Sequence, residues 1–108
     1  MKIKLSAHGA YHHQYHVVWI PTYRKKVLKG ELKQYLEKGL CDIQTCHPDL
    51  EIETCSIQVD HMHLVMVIPP KYAVSDIVGT MTANTSREIR KRFPWIRRIY
   101  WRNELWSV

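Results

Sequence analysis

Residues 50–68 constrain this chain more than any other stretch. "LEIETCSIQV" alternates in character, and one polar residue later "HMHLVMVI" runs to Pro69-Pro70. Two strands in such close succession pair antiparallel, and proline, lacking the ladder N–H, ends the second. Side chains at i and i+2 share a face of a strand. Leu50, Ile52, Thr54 and Ser56 are therefore read on one side of the first, opposite Glu51, Glu53, Cys55 and Ile57. In the second, His61 and His63 project together while Met62 and Leu64 face the other way.

Helical patterns flank this pair. "KGELKQYLEKGLCDIQTC" places Leu32, Leu36, Leu40 and Ile43 at helical spacing, and His47-Pro48-Asp49 ends it in a turn. Downstream, Ser75 is suited to an N-cap with Asp76 in the first turn, and Ile77, Met81, Ile89 and Phe93 follow on one side. "YHHQYHVVWI" (Tyr11–Ile20) reads as a first strand, with Tyr11, His13, Tyr15, Val17 and Trp19 on one side and Pro21 as its stop. "WIRRIYWRNELW" (Trp95–Trp106) reads as a final strand. The order is βαββαβ, an α+β domain spanning residues 1–108 whose antiparallel sheet carries two helices on one face. The other face is left for a ligand.

Composition removes several alternatives. A chain of 108 residues supports one modest core. The longest strongly apolar run, Leu64–Ile68, is far too short to span a membrane, and "MKIKLSAHGAYHHQYH" has no signal-peptide core, so a cytoplasmic protein is expected. Cys41, Cys46 and Cys55 form neither a closed disulfide set nor a C-x-x-C pair. A zinc site from these three and His47 would have no recognised spacing, which favours ordinary thiols.

The net charge of +6 is unevenly spread. Residues 1–30 carry six Lys/Arg and no acid, residues 31–60 two basic and seven acidic, and residues 61–108 eight basic and three acidic. Basic ends around an acidic middle allow one positive face, which attracts polyanions, nucleic acid foremost. A merely soluble basic protein is the plainer reading of the same numbers.

Two imidazoles side by side on an open face can each give a nitrogen to one metal ion, with Asp60 beside them as an outer partner. The same residues also read as polar groups at a strand end. By ligand softness the ion is zinc or manganese before magnesium. In the second helix, Thr80, Asn84, Arg87 and Lys91 form one polar stripe thickened by Arg90 and Arg92. A solvated face is the commoner fate of such a stripe. Here it follows the histidine strand, so a phosphate backbone gripped by it runs towards His61 and His63. "YRKK", with Arg24, Lys25 and Lys26 as further candidate phosphate contacts, follows the first strand, and Arg97, Arg98 and Arg102 punctuate the last. Trp95, Tyr100 and Trp101 between them are either base-stacking or core.

Taken in order, "YHVVWIPTYRKKVL", "VDHMHLVMVIPPKYAVSDIVG", "TSREIRKRFP" and "ELWSV" resemble the single-tyrosine HUH transposases of small bacterial insertion sequences and their relatives at repetitive extragenic palindromes. The His-hydrophobic-His element is His61-Met62-His63. The resemblance implies a ferredoxin-like fold, a homodimer with sheets joined edge to edge, and Mg²⁺ or Mn²⁺ held by His61 and His63. It also implies recognition of single-stranded DNA hairpins. A tyrosine hydroxyl then attacks the scissile phosphate, leaving a 5′-phosphotyrosine link and a free 3′-OH.

The sequence departs from that pattern in one respect that matters. In the family the nucleophile lies on a helix beyond the final strand, with Gln or Asn one turn later as a third ligand. None of Tyr11, Tyr15, Tyr23, Tyr35, Tyr72 and Tyr100 matches that place, and the sequence given ends at Val108. The expectation is a domain lacking the tyrosine helix. Thr22 and Thr82 also stand where the family is basic. A cleavage-deficient hairpin-binding dimer is the competing reading. An RNA-binding module on the same frame ranks low, because the two middle strands offer no aromatic residues.

Overall fold

A computed structural model describes residues 2–5, 13–100 and 105–107. Four strands, β1 (Lys2–Leu5), β2 (Gln14–Trp19), β3 (Glu51–Gln58) and β4 (His61–Val67), form one antiparallel sheet in the order β1-β2-β4-β3. Helices α1 (Gly30–Cys46) and α2 (Val74–Arg92) cover one face, and a short α3 (Trp95–Ile99) follows. The α+β class with an antiparallel sheet and two covering helices is as the sequence implies.

Alternation positions the core. Val17 and Trp19 of β2 and Met62, Leu64 and Met66 of β4 are at most 1% exposed. The intervening His16, Val18, His61, His63 and Val65 are half-buried on the opposite face. Leu32, Leu36 and Leu40 of α1 and Val78, Met81 and Ile89 of α2 seal the covered side. Trp19 is tied to α2 by its indole N–H, which donates to Thr82 Oγ1 at 2.8 Å. Gly30, at φ +61°, turns the extended Lys29 into α1 in a conformation where a Cβ would be strained.

Four local readings are corrected. First, the strand expected over Trp95–Trp106 begins as a helix. Pro94 has φ −58°, and Ile96 and Tyr100, both fully buried, sit four residues apart, a helical spacing that outweighs aromatic β-propensity. Trp101 and Arg102 lie outside the described residues. Leu105–Ser107 then runs beside the end of β2, bridging Trp106 to Pro21. Second, the edge beside β2 is taken by β1, a strand the sequence reading did not assign.

Third, the faces assigned to residues 50–57 fail at a bulge between Ile52 and Thr54. An extra residue flips the alternation. Ile52, Cys55 and Ile57 therefore oppose buried Met66, Leu64 and Met62, while Thr54 and Ser56 oppose Val65 and His63. Fourth, α2 starts at Val74 rather than after a Ser75 cap: the Ala73 carbonyl already accepts from the Asp76 and Ile77 N–H groups at 3.0 and 3.1 Å. Val74 packs against the core, and that burial sets the start in place of the cap. In the first predicted strand, regular pairing begins at Gln14, with Tyr15 packed against the core beside Val17 and Trp19 as expected. Tyr11 lies outside the described residues.

Candidate functional site

The open face gathers imidazoles. His61 lies opposite Gln58, and His63 lies between Ser56 of β3 and Val18 of β2. The buried partners of Met62 between them, Trp19 and Ile57, fix its side chain on the covered side and so put both histidines on the other. Along the strand, i and i+2 positions are about 7 Å apart, within reach of one ion through two imidazole arms. His16 joins them from β2: its ring centroid is 5.6 Å from that of His63, with the planes tilted by 31°.

Asp60 braces the first histidine. One carboxylate oxygen lies 2.9 Å from His61 Nδ1, and the other accepts from Arg24 Nε at 3.0 Å. An ionised carboxylate only accepts, so the ring presents Nδ1–H to it, and in the neutral tautomer Nε2 carries the lone pair. The hydrogen bond from His61, and then that from Arg24, hold the Asp60 carboxyl below the ordinary value of 3.8. A depressed carboxyl supports its partners fully above its ordinary value and releases them as pH falls through the lowered one. Carbon-detected NMR titration of Asp60 is expected to show a midpoint below 3.8 that rises in Arg24→Gln. A wild-type midpoint at or above 3.8 would contradict the brace.

The expected DNA-contact residues separate into two regions. Arg24, Lys25 and Lys26 are exposed in the loop after β2, and Arg24 reaches the histidine corner through Asp60. Asn84, Arg87 and Lys91 are exposed on α2, which packs on the face of the sheet opposite the histidines. The stripe and the imidazoles therefore lie on opposite faces of the sheet, and one strand touching both would have to pass around it. Asn84 Oδ1 accepts from Arg87 Nη2 at 2.9 Å, so these two are already paired. Arg90 is half-buried and donates to the Tyr100 carbonyl at 2.9 Å, which gives it a role within the fold.

Among the described residues no group of three or more His, Cys, Asp or Glu is placed to hold a metal ion. An ion held by His61 and His63 alone would have two nitrogen donors, with its other positions left to oxygen ligands. Such a set fits Mn²⁺ better than Mg²⁺, which prefers an all-oxygen shell. Cys41, Cys46 and Cys55 are exposed free thiols. His16 is the residue that sequence reasoning missed. Its phase opposite Val17 and Trp19 was legible, but its place beside His63 depends on the β2–β4 pairing.

Known proteins carry the same plan. The family described as "Transposase IS200 like" matches residues 9–108. The ISDra2 transposase TnpA of Deinococcus radiodurans is 29% identical over 107 residues, which are 99% of this chain and 76% of the relative. The transposase for insertion sequence element IS200 of Salmonella typhimurium is 30% identical over 106 residues, 95% of this chain and 67% of the relative. A crystal structure described as a transposase from Deinococcus radiodurans R1 superposes with a TM-score of 0.78 at 28% identity, covering 96% of this chain and 79% of that one. No described helix is long and apolar enough to cross a membrane. Matched along nearly its whole length in sequence and in fold, the chain belongs to the IS200-like transposase family, whose business is the cutting and rejoining of DNA in the movement of insertion sequences.

Proposed function

We propose that this domain binds hairpins in single-stranded DNA at the ends of an insertion sequence, and cuts and rejoins them through a tyrosine, with Mn²⁺ or Mg²⁺ held by His61 and His63. The observation that carries the reading is a pair of imidazoles on a sheet face that no described helix covers, one of them oriented by the Arg24–Asp60 brace. When bound, the ion neutralises charge developing on the scissile phosphate. Arg24, Lys25 and Lys26 hold the backbone near that phosphate. Asn84, Arg87 and Lys91, the exposed members of the α2 stripe, meet the strand where it rounds the sheet, while Arg90 holds the Tyr100 carbonyl behind them. In the cutting step a phenolic oxygen bonds to phosphorus, the P–O3′ bond breaks, and the phenolic proton is lost as the 3′ oxygen gains one. Rejoining reverses this with another 3′-OH. Among the described residues β3 is an edge strand, which suits the edge-to-edge homodimer that the family resemblance implies.

The nucleophile is assigned to none of the tyrosines in the sequence. Tyr15 packs against the core; Tyr35 lies between Phe93 and Arg92. Tyr72 donates to Asp49, whose carboxyl Lys71 also engages. Tyr100 is fully buried and donates to the Thr22 carbonyl. Tyr23 is exposed and Tyr11 lies outside the described residues, and neither stands at the place the family resemblance gives the nucleophile. The four engaged phenols favour, as the second reading, a hairpin-binding dimer that does not cut. Residues 1–108 mixed with hairpin DNA and Mn²⁺ are expected to give a gel shift and no covalent adduct. An adduct mapped by mass spectrometry to any tyrosine present refutes the nucleophile assignment. Absence of a shift removes hairpin recognition. A longer chain of the same protein that shifts hairpins yet leaves them intact establishes the binding-only reading.

A further inference from the structure

We propose that Tyr23 is a stacking platform for one unpaired nucleobase of the DNA strand that passes His61 and His63, a role that rests on the single-stranded DNA reading above. Tyr23 is 72% exposed, well beyond Val59 at 43%, Ile3 at 42% and Trp95 at 40%. Its backbone has φ +62° and that of Arg24 has φ +51°, two successive left-handed residues, neither of them glycine. A bulky side chain is disfavoured there, and such conformations persist only where the surroundings over-determine them.

The surroundings do so from four directions. The Arg24 N–H donates to the Pro21 carbonyl at 2.7 Å, and the Thr22 N–H to the Leu105 carbonyl at 2.7 Å. The Tyr100 hydroxyl donates to the Thr22 carbonyl at 2.9 Å, and Arg24 Nε to Asp60 at 3.0 Å. The chain fastens this turn firmly and then displays a phenol ring at its apex. Most of the ring faces water. Glycine would suit the backbone better.

The neighbours indicate the ligand. Arg24, Lys25 and Lys26 follow immediately and are exposed, so cations and an aromatic face share one loop. That combination grips single strands: cations take successive phosphates while the ring takes a base of any identity. A paired base within a duplex has its faces covered by neighbours and gains nothing from the ring. Through Arg24 and Asp60 the loop is joined to His61, which places the stacked base next to the phosphate at the histidine pair.

The test measures binding of a hairpin with a single-stranded flank, by fluorescence anisotropy, to the full chain and its variants. Tyr23→Ala is expected to weaken binding about tenfold, whereas Tyr23→Phe, which keeps the ring, stays near wild type. An abasic nucleotide in the flank should abolish the difference between wild type and Tyr23→Ala. Tyr23→Gly should weaken binding as much as alanine does while raising the melting temperature by a few degrees, because glycine relieves the positive φ. A purely structural tyrosine would give the opposite thermal shift. Unchanged binding by Tyr23→Ala overturns the platform and leaves hairpin recognition standing. Loss with Tyr23→Phe equal to that with alanine also overturns it, by moving the role to the hydroxyl. Failure of the wild type to bind single-stranded DNA removes both.

Discussion

Replacing His63 with alanine is expected to lower Mn²⁺ affinity by about a hundredfold or more while leaving the fold intact. Loss of an outer-shell partner of a metal ligand costs about 10–100-fold in affinity, and loss of the ligand itself costs at least that. His63 sits mid-strand on the uncovered face, half exposed, with the buried Met62 and Leu64 turned away from it. Its removal opens no core cavity, so the melting temperature should move little. Mn²⁺ binding followed by electron paramagnetic resonance should weaken in His61→Ala to a similar degree, and less in Asp60→Asn. The order of these effects distinguishes a chelating pair from scattered surface histidines, for which each removal would be small. Wild-type Mn²⁺ binding in the double alanine variant would remove the metal from the proposed chemistry.

Much of the site was legible because it depends on strand parity. The i, i+2 relation puts His61 and His63 on one face whatever strand lies next door, and the buried run Met62, Leu64 and Met66 fixes which face that is. Asp60 was legible because it is adjacent to His61 in sequence. His16 and the role of Arg24 were not, since both depend on long-range pairing: β2 against β4 for one, and the loop after β2 against the β3–β4 turn for the other. The α2 stripe was legible as a polar face, and its helix as lying on the covered side of the sheet, away from His61 and His63.

The local errors have one physical source. Ile96 and Tyr100 are buried by tertiary packing that a propensity scale cannot see, so a segment rich in Trp, Ile and Tyr read as strand. The bulge at residues 52–54 inverted the parity of Leu50 and Ile52 relative to Ile57, an insertion that leaves no mark in composition. The hydrophobic period located α1 closely because Leu32, Leu36 and Leu40 repeat at one helical face, and the start of α2 slipped because burial of Val74 outweighed the Ser75 cap.

Trp106→Ala is expected to cost about 3–5 kcal/mol, the range for emptying a buried tryptophan site. For a domain whose total stability is on the order of 5–15 kcal/mol, that brings the native state close to the edge. Trp106 is 2% exposed, its indole N–H donates to Thr85 Oγ1 at 2.8 Å, and its backbone bridges Pro21. Together with the Thr22 N–H bond to Leu105 and the Ser107 N–H bond to the Ile20 carbonyl, it fastens the end of β2 to α2. Trp106→Phe should cost less, since Thr85 keeps its own donation to the Met81 carbonyl and is not left unsatisfied. Urea denaturation would show the midpoint falling far in the alanine variant and modestly in phenylalanine; equal midpoints for wild type and alanine would mean that residues 105–107 are no part of the core. The same fastening holds the Thr22–Arg24 turn, because the Leu105 carbonyl receives the Thr22 N–H. Loosening it should free Arg24 from Asp60 before the sheet opens, so the Asp60 midpoint in Trp106→Ala should drift back up towards 3.8 under conditions where the strands still protect their amides.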